Sequence, residues 1–316
     1  MVIMVLHVVL FIIGLGILFL GADLLVKNSS LLARSLGVKP IIVGLTIVAF
    51  GTSAPEFGVS FMAALTKSES IAIGNIIGSN IANIGLILGL SSLIRPLHIE
   101  KETLWREVPW VLGTAGLLWL LCLNGEINLI DGIVLLVSFA LFIFYCIRVT
   151  MTRDVDDSQI GSGGKERLIR SLLTVLGLGL LLGGGTLLVR SAVYIAHALK
   201  VSELVIGLTI VSVGTSLPEL ATTTVAALRR EAAIGVGNII GSNVFNTCWV
   251  IGCVVLVASI SVEPVSLRLD LPFMTFMGIL LFPIFITGLK ISRKEGFLLL
   301  MFYGLYVANR FVHFID

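Results

Sequence analysis

The chain has 316 residues, 57% of them hydrophobic and 13% charged, with a formal net charge of +2 and a mean hydropathy of +1.09. Soluble domains are about a quarter charged, so this composition excludes an ordinary soluble globular protein and a disordered chain. The small net charge leaves no basic footprint for nucleic acid.

A helix needs about 20 apolar residues to cross a bilayer. Stretches that meet this need run over 3–26, 41–65, 71–94, 104–123, 128–147, 168–198, 204–228, 234–258, 269–289 and 294–312. The expected fold is therefore an all-α integral membrane protein of ten transmembrane helices, with the lipid bilayer as its surroundings. The first stretch lacks a basic n-region and a small-residue cleavage site and is too long for an h-region, so it reads as a span rather than a signal peptide.

Ten spans put both termini on one side, and Lys and Arg decide which. Of the 21 such residues, all but Lys67, Arg190, Lys200, Arg268 and Arg310 fall in connections of one parity. That side is expected to be cytoplasmic, with both termini outside. The connection 149–167 is polar and Gly/Ser-rich and reads as a cytoplasmic linker. Its Asp154, Asp156 and Asp157 lack EF-hand spacing and read as a solvated patch.

Smaller features have structural readings. Cys122, Cys146, Cys248 and Cys253 sit in apolar stretches without metal-ligand spacing. His7, His98, His197 and His313 are scattered, which argues against a Zn2+ site. Asp23 and Lys27 are spaced for an i,i+4 ion pair. Arg190 is placed to snorkel outward. Asp131 reads as a helix-start residue, and Trp105, Trp110 and Trp119 as interface or lipid-facing residues.

The chain repeats itself. Residues 43–94 open VGLTIVAFGTSAPE and continue to IAIGNIIGSNIANIG; residues 206–257 open IGLTIVSVGTSLPE and continue to IGVGNIIGSNVFNTC. The two align without a gap, and close to half of the positions are identical. Leu24-Leu25-Val26-Lys27 matches Leu187-Leu188-Val189-Arg190 in the same register. The expected organisation is a first repeat over 1–148, the linker over 149–167 and a second repeat over 168–316. Each half holds an odd number of spans, so the halves are inverted and the matched motifs meet near the midplane, as in secondary transporters.

The matched residues are polar. In GTSAPE, residues 51–56, the ring of Pro55 clashes with the carbonyl of Gly51, so the helix kinks or opens there. Freed carbonyls are tolerated in a membrane only where they line a cavity or meet partners. Thr52, Ser53 and Glu56 share a face, and Thr215, Ser216, Pro218 and Glu219 repeat the pattern. A carboxylate at the bilayer centre costs roughly 2.5–3.5 kcal/mol on insertion scales. Glu56 and Glu219 need compensation, no Lys or Arg lies inside these spans, and a bound cation supplies it. In the third span Asn75, Ser79 and Asn83 form a polar stripe, repeated by Asn238, Ser242 and Asn246 in the eighth. Asn75 and Asn238 serve equally well as interhelical glue. Asn80 and Asn243 lie off the stripe, with no role assigned.

Every candidate ligand is an oxygen, which selects hard cations such as Ca2+ or Na+ over Zn2+ or Cu+. An empty site carrying about two negative charges resists crossing a low-dielectric barrier. One Ca2+, or two or more Na+ or H+, neutralises it, which points to exchange.

The paired GTSxPE and GNxxGSNxxN motifs on inverted halves resemble the sodium/calcium exchanger branch of the calcium/cation antiporter superfamily, over nearly the whole chain. The proton-linked branch carries GNxxE in place of GTSxPE. The resemblance implies Na+/Ca2+ antiport by alternating access, with the first and sixth helices sliding against the rest. It implies that Glu56 and Glu219 ligate Ca2+ and share in Na+ sites, with the carbonyls of Thr52 and Thr215 completing the Ca2+ site. It further implies one flanking Na+ site of Ser53, Ser79 and the Ala49 carbonyl, and another of Ser216, Ser242 and the Ser212 carbonyl. It also implies that Asn83 and Asn246 line the centre. Some members carry Asp at either position, and Asn at both disfavours the potassium-dependent subtype.

The transported ions are then Ca2+ and Na+, with H+ as the alternative counter-ion, and no cofactor is called for. A cation channel fits the inverted, neutralisable site less well. An enzyme is not expected, since no nucleophile–base pair or HExxH motif is present. The short linker points to a prokaryotic cell (inner) membrane.

Overall fold

The computed structural model describes residues 2–151, 163–199 and 212–315, with side chains over 3–148, 163–199 and 213–310. Most of the expected linker, including Asp154, Asp156 and Asp157, lies outside the described residues, as do Lys200 and residues 204–211 of the expected seventh span.

The chain is a bundle of helices. In order they are α1 (Val2–Ser35), α2 (Pro40–Thr52), α3 (Ala54–Leu65), α4 (Glu69–Ile94), α5 (Lys101–Asn124), α6 (Leu129–Met151), α7 (Gly164–Ala198), α8 (Ser212–Thr215), α9 (Leu217–Leu228), α10 (Ala232–Val255), α11 (Ser266–Ile286) and α12 (Arg293–Ile315). Among the described residues, seven are long and apolar enough to cross a membrane, or eight with α2–α3 counted as one span bent by 44°. The ten-span reading takes α8–α9, the counterpart of α2–α3, and α12, the counterpart of α6, as the other two.

Burial sorts the helices into a centre and a rim. Of the most apolar 18-residue stretch, 72% is buried in α4 and 89% in α10, against 11% in α1. The core is built of aliphatic side chains on α4, α5, α10 and α11, such as Ile76, Leu118, Ile239 and Leu281. Leu, Ile and Val on α1, α6 and α7 face outward, as side chains facing lipid do.

Several helix pairs meet through glycine. Gly14 and Gly21 on α1 lie against α7, and their repeat counterparts Gly177 and Gly184 on α7 lie against α1. A Cβ on Gly177 would sit 2.6 Å from the backbone nitrogen of Leu25, and one on Gly14 would sit 2.9 Å from that of Leu188. Only glycine allows backbones this close. Likewise Gly89 on α4 meets Gly296 on α12, and Gly252 on α10 meets Gly132 on α6.

Among the described residues, two short antiparallel ladders tie the connections. β1 (Leu97–His98) pairs with β4 (Lys290–Ile291), and β2 (Glu126–Ile127) pairs with β3 (Ile260–Ser261). β1 follows the third span and β4 precedes the tenth, so the chain crosses an even number of times between them. The second ladder repeats the first under the exchange of halves, which is the arrangement inverted repeats require.

Helix ends repeat as well. Lys67 (φ 57°) and Arg230 (φ 64°) occupy equivalent left-handed positions. Ser68 N–H bonds Ala63 O at 2.8 Å and Glu231 N–H bonds Ala226 O at 2.8 Å, the six-to-one bond of a Schellman cap. At the start of α6, Asn128 Oδ1 accepts from Ile130 N–H at 2.8 Å while Asp131 Oδ2 accepts from Asn128 N–H at 2.9 Å. Asp131 is thus the helix-start residue its position predicts.

Two expectations are corrected. Asp23 pairs with Arg229 rather than with Lys27, because α9 packs against α1 and brings the guanidinium to it. Arg34 and Glu231, 2.7 Å apart, tie the same two regions. Trp105 is 59% exposed, but Trp110 is half-buried against Phe142 and Tyr145, with ring centroids 5.4 and 5.8 Å away. Trp119 also packs half-buried on the core.

Candidate cation site

The site is built on two broken helices. Between α2 and α3, Ser53 leaves helical geometry (φ −83°, ψ 5°), and between α8 and α9, Ser216 does the same (φ −88°, ψ 7°). Pro55 and Pro218 fall in the first turn of the helix that follows, where a missing N–H costs nothing. The break thus resolves the clash that a proline inside a continuous helix would create. Glu56 and Glu219 also sit in those first turns. The positive end of each helix dipole offsets their charge.

Both glutamates are fully buried. Ser216 Oγ donates to Glu56 Oε1 at 3.0 Å, and Ser53 Oγ donates to Glu219 Oε1 at 3.0 Å. Ser79 Oγ reaches Glu56 Oε1 at 3.5 Å and Ser242 Oγ reaches Glu219 Oε1 at 3.4 Å. Ser216 Oγ also lies 3.3 Å from Ser79 Oγ. Each break serine therefore serves the glutamate of the other half. The resemblance groups Ser53 with Ser79 and Ser216 with Ser242. The structure groups Glu56 with Ser79 and Ser216, and Glu219 with Ser242 and Ser53, because the two broken helices face each other across the pseudo-two-fold axis.

The remaining predicted residues are placed as follows. Thr52 is buried, and its hydroxyl donates to Asn238 Oδ1 at 3.0 Å. Thr215, also buried, ends α8 next to the break. The Ala49 carbonyl accepts from Ser53 N–H at 3.0 Å and from Thr52 Oγ1 at 3.4 Å. Ser212 opens α8 at the edge of the described residues, and its side chain lies outside them. Asn83 and Asn246 are buried. Each sits in a π-helical turn, Asn83–Leu88 and Phe245–Val250, a distortion frequent at functional sites.

The sequence reading places Asn75 and Asn238 on the stripe, leaves Asn80 and Asn243 without a role, and misses Ser60 and Thr247. Asn75 Nδ2 donates to Ser60 Oγ at 2.9 Å and to the Glu56 carbonyl at 3.2 Å, within its own half. Asn238 instead turns to Thr52 across the halves. Asn80 and Asn243 bond across the halves too, and Thr247 joins them. For Asn80, Asn243 and Thr247 the signal was a buried amide or hydroxyl one step off the stripe.

The unpartnered atoms matter most. Glu56 Oε2, Glu219 Oε2, Asn83 Oδ1 and Asn246 Oδ1 are buried acceptors with no hydrogen-bond partner. Leaving a buried acceptor bare costs about 1–3 kcal/mol, more if it is charged. Among the described residues neither glutamate has a Lys or Arg partner, and no group of three His, Cys, Asp or Glu gathers to hold a metal. The arrangement offers two carboxylates and neutral oxygens, which suits a hard cation.

The sequence profile described as "Sodium/calcium exchanger protein" matches residues 6–148 and again residues 170–312. The sodium/calcium exchanger MaX1 of Methanosarcina acetivorans is 32% identical over 317 residues, covering 87% of this chain and 90% of its own length. Inner membrane protein YrbG of Escherichia coli is 34% identical over 252 residues, 77% of this chain and 78% of its own. A solved structure of the sodium-calcium exchanger NCX_Mj, soaked with zero Na+ and Ca2+, matches with a TM-score of 0.85 at 34% identity, over 98% of this chain and 99% of that one. Two profile matches on the two halves, full-length relatives and a shared fold agree: the chain belongs to the sodium/calcium exchanger protein family, whose members are membrane transporters and not enzymes.

Proposed function

We propose that the protein is a secondary active antiporter that exchanges Na+ for Ca2+ by alternating access, with Glu56 and Glu219 binding the cations. The observation that carries this reading is the set of four bare acceptors, Glu56 Oε2, Glu219 Oε2, Asn83 Oδ1 and Asn246 Oδ1, buried where the halves meet. Ca2+ draws on both carboxylates, with the carbonyls of Thr52 and Thr215 beside them. One Na+ draws on Glu56, Ser79, Ser216 and the Ser212 carbonyl, and another on Glu219, Ser242, Ser53 and the Ala49 carbonyl. With no third carboxylate, the empty site carries about two negative charges and is neutralised by one Ca2+ or by two or more Na+. Reorientation of the neutral forms alone couples the two fluxes, since a net charge is costly in a low dielectric. Sliding of α1 and α7 on the remaining helices changes the side to which the site opens. The Lys and Arg distribution supports termini that face outward, and relatives from bacteria and archaea support a prokaryotic cell membrane.

The test is radioactive Ca2+ uptake into proteoliposomes preloaded with Na+, at equal pH on both sides with a proton ionophore present. Uptake is expected to require the outward Na+ gradient and to vanish in Glu56→Gln and in Glu219→Gln. Uptake indifferent to Na+ and driven by an imposed pH gradient would replace Na+ by H+ as the counter-ion. Unitary currents would replace the carrier by a channel.

A further inference from the structure

Asn80 and Asn243 occupy equivalent positions in the two repeats, one residue after Ser79 and Ser242. Both are buried. Asn83 Nδ2 donates to Asn243 Oδ1 at 3.1 Å, and Asn246 Nδ2 donates to Asn80 Oδ1 at 3.3 Å. The two bonds repeat each other under the exchange of halves, and each crosses between halves.

A carboxamide is planar, with its oxygen and nitrogen on opposite sides. Once the nitrogen of Asn83 is committed to Asn243, its oxygen must point away from Asn243. The same holds for Asn246 and Asn80. Those two oxygens, Asn83 Oδ1 and Asn246 Oδ1, are two of the four bare buried acceptors of the site. A reversed amide would set two carbonyl oxygens against each other and offer N–H groups to a cation.

Asn80 is itself held. Its Nδ2 donates to Thr247 Oγ1 at 2.8 Å and reaches the Asn243 carbonyl at 3.4 Å. Its oxygen is thereby reserved for Asn246. Asn243 is held less firmly, because its Nδ2 is buried without a partner.

We propose that Asn80 and Asn243 are positioning residues that lock the Asn246 and Asn83 amides with oxygen toward the cation, and that Thr247 anchors Asn80 in this task. The proposal rests on the cation-site reading given above. None of the three touches the ion. They decide whether the central site presents oxygen or N–H to it, and so set the affinity for Ca2+ independently of the number of carboxylates.

The experiment measures initial Ca2+ uptake against Ca2+ concentration in Na+-loaded proteoliposomes for wild type, Asn243→Leu, Asn243→Asp, Thr247→Val and Glu56→Gln. Asn243→Leu removes the acceptor and is expected to raise the half-saturating Ca2+ concentration by about tenfold, the scale of one lost hydrogen bond to an oriented group. Asn243→Asp keeps the acceptor for Asn83 and gives up no bond made by Nδ2, while adding a carboxylate beside the site, so its half-saturating Ca2+ concentration is expected to rise less than that of Asn243→Leu. Thr247→Val loosens Asn80 and gives an intermediate shift. In detergent, the rise in melting temperature that Ca2+ produces shrinks in Asn243→Leu and persists in Asn243→Asp, a readout that needs no transport. A purely structural role predicts a lower maximal rate at unchanged half-saturation, and that result in Asn243→Leu overturns the proposal. Equal damage by Leu and Asp at 243 overturns it too. Glu56→Gln separates the two readings: if it keeps the wild-type Ca2+ dependence, the cation site is misplaced, and if it is inactive while Asn243→Leu keeps wild-type half-saturation, the positioning role alone falls.

Discussion

Each glutamate spends one carboxylate oxygen on serine hydroxyls and keeps the other bare. The serines hold the carboxylates in place, and in the proposed exchanger they are also ligands of the flanking cations. Ser53→Ala and Ser216→Ala are expected to raise the half-saturating Na+ concentration by similar factors, about three- to tenfold, since a hydrogen bond to a charged group is worth about 1.5–3 kcal/mol and a cation restores part of it. Equal effects reflect the equal 3.0 Å distances; Na+-dependent uptake measured side by side checks them. Carboxylates placed at the two central amides should behave differently. Asn243 has a spare N–H to turn toward Asn83→Asp, whereas Asn80 turns toward Asn246→Asp only by giving up Thr247. Asn246→Asp is therefore expected to weaken Ca2+ uptake several-fold more than Asn83→Asp. Much at this scale was legible beforehand. A carboxylate or an amide in an apolar run stands out because the bilayer penalises it. The crosswise pairing of Ser53 with Glu219 and Ser216 with Glu56 was not legible, since periodicity tells which residues share a helix face and not which helix that face meets. Asn80 went unassigned for the same reason. It points to the other half, and nothing within its own half announces that.

At the scale of elements, glycine and left-handed residues mark where the backbone is under demand. A methyl group on Gly21 or Gly184 runs into backbone of the opposing helix, while Gly16 on the same helix has nothing described within 4 Å. Gly21→Ala and Gly184→Ala are expected to lower the melting temperature and the transport rate together. Gly16→Ala is expected to be neutral or to stabilise by up to about 1 kcal/mol through helix propensity. Thermal unfolding of the three purified variants in detergent separates these outcomes. Lys67 and Arg230 carry positive φ at equivalent caps, a conformation that costs a side-chain-bearing residue roughly 1–2 kcal/mol. Lys67→Gly and Arg230→Gly should each raise the melting temperature. The kinks at Pro55 and Pro218 were readable because proline cannot donate and clashes with the preceding turn. The π-turns at Asn83 and Asn246 were not readable, because a π-turn depends on what packs around it and leaves no mark on composition.

At the scale of the whole molecule, the ladders and caps repeat across halves that run in opposite directions. Lys67 and Arg230 are exposed and equivalent, so inverted repeats put them on opposite sides of the membrane. With Cys253 replaced to remove background, Lys67→Cys is expected to react with an impermeant maleimide added outside intact cells, and Arg230→Cys only after permeabilisation. Reaction of both from one side would refute the inversion. The fold was legible at this scale because two requirements dominate it. Spans must be long and apolar, and a duplicated unit with an odd number of spans must invert. The ladders between short connections were invisible, since two-residue strands carry no alternation to detect.

The contact between α1 and α7 has a mechanical side. Gly14, Gly21, Gly177 and Gly184 bring backbone against backbone at the crossing, and Leu18, Leu25, Leu181 and Leu188 close in around them. Helices seated this closely behave as one beam. A force on either is carried by both, and slip between them would have to lift the leucines out of their seats. Movement of the pair therefore falls at the faces it turns to the remaining helices.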